Sequence, residues 1–135
     1  MIYLTKEEII SINKDMIYSF GGVYFEGAYN IENDNSFEYL LAAPSQEVFG
    51  MQRYPSTFNK AAAYLFFIIK DHIFYDGNKR TGMITAFTFL DVNGVGEISN
   101  KIKRKRLINY AERIAGCKPG IENISRWLKG IARIR

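Results

Sequence analysis

Residues 70 to 80 read Lys70-Asp71-His72-Ile73-Phe74-Tyr75-Asp76-Gly77-Asn78-Lys79-Arg80. Two aspartates, the only histidine of the chain, an asparagine, two lysines and an arginine crowd into this stretch. Ionisable groups are costly to bury unless they pair or bind something. Such a concentration at a chain reversal therefore points to a pocket for an anion. The His72 imidazole can accept a proton from an attacking hydroxyl at cellular pH. Asp76 offers the hard oxygen donors of a divalent cation that bridges phosphate oxygens. If a helix starts near Gly77 or Asn78, its unpaired backbone N–H groups and positive dipole end face the loop. Gly77, lacking a Cβ, lets a ligand approach the backbone closely. Lys79 and Arg80 in that first turn run against the dipole, and a phosphate chain seated on the helix N-terminus resolves the mismatch. Taken singly, His72 reads as a hydrogen-bonded helix end and Asp76 as an ordinary N-cap; the set together is what asks for a site. Ile73 and Phe74 read as core, and Tyr75 as a rim residue.

Two helices must hold that loop. Every residue from Ala61 to Ile69 is apolar or aromatic, the mark of a helix buried on all sides. From Met83 to Leu90 the only polar side chains are Thr85 and Thr88, which can bond to their own helix backbone, so the second helix is expected to be buried as well. Ser56 or Thr57, after Pro55, opens the first, and Asn93-Gly94 closes the second. Near the N-terminus Thr5-Lys6-Glu7-Glu8 is a capping box. Ile9, Ile10, Ile12, Met16 and Ile17 follow at helical spacing, and Gly21-Gly22 ends the run. Residues 23–33 read as an irregular connection or a short extended flap. A short helix is expected from about Ser36 to Ala43, stopped before Pro44. Ser99 is a cap for a basic helix from Lys101 to Ala115, broken by Gly116 and Pro119-Gly120, and Ile121 to Ile131 forms a last helix. No repeat, linker or boundary divides the sequence. The expectation is a single all-α domain over residues 1–135, with the charged loop between two buried central helices.

Composition narrows the function classes. The 135 residues are 47% apolar, 15% aromatic and 24% charged, which excludes a disordered, collagen-like or low-complexity chain. A lone cysteine, Cys117, excludes a disulfide framework, and a lone histidine excludes a multi-histidine metal site. The longest wholly apolar run, Ala61 to Ile69, falls far short of the ~20 residues that span a bilayer. Lys6, Glu7 and Glu8 follow directly on Met1-Ile2-Tyr3-Leu4, unlike a signal peptide, so the expected setting is the cytoplasm, away from membranes. Charge is uneven: 7 Lys/Arg face 12 Asp/Glu in residues 1–100, against 11 and 2 in residues 101–135. The basic tail, with Lys101, Lys103, Arg104, Lys105 and Arg106, reads first as a solvated helix face and second as a contact for an acidic partner or phosphate-rich ligand. No zinc finger, RNP-type aromatic pattern or basic-zipper heptad accompanies it, so direct nucleic-acid binding is not expected.

The run His72-Ile73-Phe74-Tyr75-Asp76-Gly77-Asn78-Lys79-Arg80 resembles the signature of the Fic/Doc family: a histidine, a phenylalanine two residues on, an acid, Gly-Asn and a closing arginine. The death-on-curing (Doc) branch is resembled most. Lys79 stands where adenylylating Fic enzymes have glycine, Ile73 where they usually have proline, and Met83 where they commonly carry a second arginine. The likeness runs on through the N-terminal helix ending in Gly-Gly, the middle helix feeding the motif, and Leu90-Asp91-Val92-Asn93-Gly94 after it. The resemblance implies an all-helical toxin of a toxin–antitoxin module that transfers part of ATP to a protein hydroxyl. Doc-type proteins look like kinases that move the γ-phosphate to a threonine of elongation factor Tu and halt translation. Carried over position by position, His72 is the base, Asp76 binds Mg²⁺, and Asn78, Lys79 and Arg80 hold the phosphates of ATP, with Gly77 supplying backbone room. Lys70, also assigned to the phosphates, stands where Doc proteins can carry arginine; lysine keeps the charge but loses the bidentate fork. Ile84 stands where they can carry a polar residue and offers no hydrogen bond. A long cation at Lys79 in place of glycine disfavours the adenylylation pose and favours a reversed one.

Regulation follows from an absence. Many Fic enzymes inhibit themselves with a Ser/Thr-x-x-x-Glu helix whose glutamate pairs with the second motif arginine. No glutamate in this sequence has Ser or Thr four residues before it, and Met83 lacks the partner guanidinium. Restraint by a separate antitoxin peptide is therefore expected, folded into a groove on the toxin, with the basic tail as a contact for it or for an acidic target. Two other readings stay open at this point: a Fic-like transferase that adds AMP, and a catalytically silent binding module that retains the pocket.

Overall fold

The structure, a computed structural model, describes residues 1–96, 104–116 and 119–132. Six α-helices account for most of them: α1 (Lys6–Phe20), α2 (Asp34–Ala42), α3 (Thr57–Lys70), α4 (Asn78–Val92), α5 (Arg104–Ala115) and α6 (Ile121–Ala132). A two-stranded antiparallel ribbon, β1 (Glu47–Val48) with β2 (Met51–Gln52), lies between α2 and α3. The fold class is all-α, as expected. Ser99, Lys101, Lys103 and Cys117 lie outside the described residues.

Helix ends follow local chemistry. Thr5 and Glu8 cap α1 reciprocally, and Gly21 at φ 88° stops it. Ser56 caps α3 by accepting the Asn59 N–H, while the Asn59 side chain reaches back to the Ser56 backbone. Helix α2 starts two residues earlier than Ser36, and its N-cap Asn33 makes no side-chain cap bond, because that amide serves the carbonyls of Asp71 and His72. The ribbon has no counterpart in the sequence reading. Two-residue strands show no alternation, and the only signal is the Phe49-Gly50 turn, both residues at positive φ (52° and 78°), as the hairpin turns that match strand twist require.

Helices α3 and α4 form the central pair; α1 packs on α4, α2 and α6 pack on α3, and α5 touches both. Ala61 to Leu65, Ile68 and Ile69 are buried on α3, but Phe66 and Phe67 are only partly so. Phe67 meets Tyr39 of α2 edge-on at 5.3 Å between ring centroids, so on that side α3 is covered only partly, by the rings of a short helix. On α4 the Thr85 hydroxyl is buried without a hydrogen-bond partner, which corrects the expectation that it satisfies itself on its own helix. Gly82 sets the spacing of the pair: a Cβ there would lie 3.0 Å from Ile69 Cγ1 and 3.2 Å from Leu65 Cδ1. Among the described residues no helix is long and apolar enough to cross a membrane.

Candidate active site

The elbow between α3 and α4 is shaped by backbone pairing with the segment before α2. The Asn33 amide donates to the Asp71 and His72 carbonyls at 3.1 and 2.9 Å. The Ile73 carbonyl accepts the N–H groups of Glu32 and Asn33 at 2.8 and 3.2 Å. Ile31 and Phe74 form an antiparallel bridge, and the Tyr75 N–H donates to the Asn30 carbonyl at 2.9 Å. Residues 30–33 thus run along residues 71–75, and this pairing holds His72 at φ 49°, a left-handed conformation uncommon for a residue with a Cβ. Ile73 and Phe74 are fully buried as expected. Phe74 sits edge-on to Phe37 at 5.5 Å, and its burial stabilises the elbow by roughly 1.5–3 kcal/mol. Tyr75 is half exposed at the rim.

Asn78 closes the loop on itself. Its Oδ1 accepts the Phe74 N–H at 2.9 Å and its Nδ2 donates to the Phe74 carbonyl at 2.8 Å. The side chain is therefore a loop staple, and what Asn78 offers a ligand is its backbone. Gly77 precedes it at φ 78° as N-cap of α4. The first intrahelical bond runs from the Thr81 N–H to the Gly77 carbonyl, so the N–H groups of Asn78, Lys79 and Arg80 lie ahead of the helical ladder.

Asp76 is fixed from two sides. Oδ1 accepts the Gly77 N–H at 2.8 Å and Oδ2 the Val23 N–H at 2.9 Å, while its carbonyl accepts Asn13 Nδ2 at 2.9 Å. Asn13, wholly buried on α1, also donates to Thr81 Oγ1 at 3.1 Å and accepts from Asn30 Nδ2 at 3.0 Å. Sequence reasoning missed Asn13 and Asn30. The available signal was Asn13 itself, a polar side chain midway between Ile9 and Ile17 on the apolar face of α1.

The His72 ring is 59% exposed, with Nδ1 2.6 Å from Glu32 Oε2. This glutamate was also missed: 40 residues separate it from His72, and no local pattern marks it. Lys79 Nζ lies 2.6 Å from Glu112 Oε1 on α5, and the Arg80 guanidinium sits 4.6 Å from the centroid of the Phe20 ring. Part of the clash between cations and helix dipole is thus answered within the chain.

An open cavity of about 260 Å³ brings His72, Asp76, Gly77, Asn78, Lys79 and Arg80 together, with Ile69 and Ala115 completing the wall. Lys70 is not in that wall; its ammonium lies 4.9 Å over the Phe66 ring. Met83 and Ile84 instead line an adjoining, mostly apolar groove of about 370 Å³ between α1, α4 and α5, which shares Lys79 and Arg80 with the first. Among the described residues no group of three His, Cys, Asp or Glu side chains is placed to hold a metal; the one carboxylate in the cavity wall is Asp76.

The sequence profile of the Fic/DOC family matches residues 3–90, which takes in α1 to α3, the whole elbow and all but the last two residues of α4. Along 130 residues the chain is 28% identical to the Toxin Doc of Mycolicibacterium smegmatis, an alignment covering 96% of this chain and 93% of that relative.

Proposed function

The chain belongs to the Fic/DOC family, and from this we propose that it is the toxin of a toxin–antitoxin module. It acts as an ATP-dependent protein-modifying enzyme that passes the γ-phosphate to a threonine hydroxyl of a translation factor such as elongation factor Tu. One observation carries the reading: the imidazole of His72, the carboxylate of Asp76 and the first turn of α4 with Lys79 and Arg80 converge on a single open cavity. Likeness to a Toxin Doc over nearly the whole chain supports the toxin role. Lys79, where the adenylylating branch has glycine, supports transfer of the γ-phosphate over transfer of AMP.

In this reading the triphosphate rests on the leading N–H groups of α4 and on the cations of Lys79 and Arg80. The substrate hydroxyl oxygen attacks the γ-phosphorus, the bond from that phosphorus to the β-γ bridging oxygen breaks, and ADP leaves with the electron pair. The hydroxyl proton passes to His72. Asp76 fits a shared Mg²⁺: each carboxylate oxygen accepts one N–H and keeps a lone pair, and such ions are commonly held by one or two carboxylates plus phosphate and water. Bound there, the ion would neutralise phosphate charge. The protein's own contribution is positioning and electrostatics.

ATP labelled at the α- or the γ-position, incubated with the protein and a cell lysate, tests the reading. The γ-label is expected on a protein, the α-label on none, and His72→Ala is expected to reduce labelling by about 10²-fold or more. Label arriving from the α-position assigns AMP transfer instead. A growth effect that survives His72→Ala assigns a silent binding module.

Restraint by a separate antitoxin completes the proposal. The apolar groove between α1, α4 and α5, lined by Met16, Phe20, Met83, Ile84, Leu107 and Ile108, is a concave surface suited to an amphipathic peptide, and the exposed Lys105 and Arg106 near it on α5 suit an acidic one. Co-expression with the neighbouring gene is expected to rescue growth and to co-purify; failure of both removes the antitoxin from this reading.

A further inference from the structure

We propose that Glu32 is a positioning residue of this transferase, fixing the His72 imidazole as the tautomer that carries its proton on Nδ1 and leaves Nε2 bare to accept one. The inference deepens the transferase reading and rests on it. The contact is 2.6 Å between side chains 40 residues apart in the chain, so it depends on how the two segments are aligned. That alignment is built rather than incidental. The Glu32 N–H itself donates to the Ile73 carbonyl, Asn33 on one side holds the Asp71 and His72 carbonyls, and Ile31 on the other bridges Phe74. The same bonds hold His72 at its left-handed φ of 49°. A residue with a Cβ is kept in that conformation only where its surroundings over-determine it, and here the outcome is a ring set against one particular carboxylate.

Stability does not account for the pair. The His72 and Glu32 side chains are 59% and 40% exposed, and exposed ion pairs hold a fold together only weakly. What the pair does determine is protonation geometry. An ionised carboxylate can only accept, so the imidazole must donate through Nδ1–H, and Nε2 is left as the acceptor. When Nε2 takes the hydroxyl proton, the imidazolium forms with the Glu32 carboxylate 2.6 Å from its Nδ1.

Because the chain holds a single histidine, the tautomer can be read directly by ¹⁵N NMR on the untagged full chain at mildly alkaline pH. The wild type is expected to show a protonated Nδ1 and an unprotonated Nε2. In Glu32→Ala the signals are expected to move toward the Nε2–H form that free imidazole prefers. In the labelled-ATP assay Glu32→Ala is expected to lower kcat by roughly 10–100-fold, part of the ~10²–10⁴ that a placed base contributes, with KM for ATP within about twofold. Glu32→Gln keeps the size and an acceptor oxygen but not the charge, and it is expected to fall between the two in both readings. An unchanged tautomer, or an unchanged kcat in both variants of an active enzyme, overturns the role of Glu32 alone. A wild type that transfers nothing, whatever its tautomer, overturns the transferase reading itself.

Discussion

A methyl group at position 22 would sit 2.7 Å from Asp76 Oδ2 and 2.9 Å from Ile17 Cδ1, on a backbone at φ 136°. Gly22→Ala must therefore push away either the carboxylate or the segment whose Val23 N–H holds it. Strain of that kind costs of order 1–3 kcal/mol. The variant is expected to melt several degrees lower by calorimetry and to lose transfer activity beyond what the stability loss explains, since Asp76 moves with it. Asn78→Ala differs in kind: it strips the buried N–H and carbonyl of Phe74 of their partners. Leaving such groups unpaired costs about 1–3 kcal/mol, and a denaturant titration is expected to show that loss as a lower midpoint with unchanged slope.

Helix α3 carries the elbow, and its start is set by one side-chain exchange. Ser56→Ala removes the acceptor for the Asn59 N–H and is expected to cost about 1 kcal/mol, readable as a drop in melting temperature with KM for ATP unchanged. This end of the helix was legible from residues alone, as were the Thr5–Glu8 box, the stop at Gly21 and the close at Asn93, because a cap is a contact within four residues. The motif loop was legible for a related reason: its side chains are neighbours in the chain, and the cavity gathers all of the expected set but Lys70. What could not be read was every bond that joins distant segments. Glu32 to His72, Asn30 to Asn13 and Lys79 to Glu112 each span 17 residues or more, and nothing in the local pattern of either partner names the other. The Asn78 side chain shows the complementary limit: its motif position suggested a phosphate ligand, and the structure gives its amide to the loop.

Taken whole, the molecule ties its N-terminal strap to its centre through Tyr64, whose hydroxyl accepts the Leu4 N–H at 3.2 Å. Asn93 exchanges two further bonds with Ile2 at 2.8 Å each. Burial pushes the Tyr64 phenol from its ordinary 10.0 up to about 12. Between those values the unfolded chain has released this proton while the native protein retains it, so folding stability falls as pH rises. The loss amounts to at most about 3 kcal/mol by the upper limit, at 1.36 kcal/mol per unit. Denaturation followed from pH 9 to 12 is expected to show that decline, and a Tyr64→Phe variant, though less stable at neutral pH for want of the Leu4 bond, is expected to show less of it.

The amide of Asn13 grips the Asp76 carbonyl with one hand and the Asn30 side chain with the other, so the first helix clamps both the elbow and the segment paired along it. It follows that the transferase proposed above can be disarmed from behind. A small molecule wedged under α1, or an Asn13→Leu change that fills the space without the grip, should slacken the elbow while the mouth of the cavity stays empty and chemically intact, and inhibition of the proposed transfer in that way would not be relieved by raising ATP.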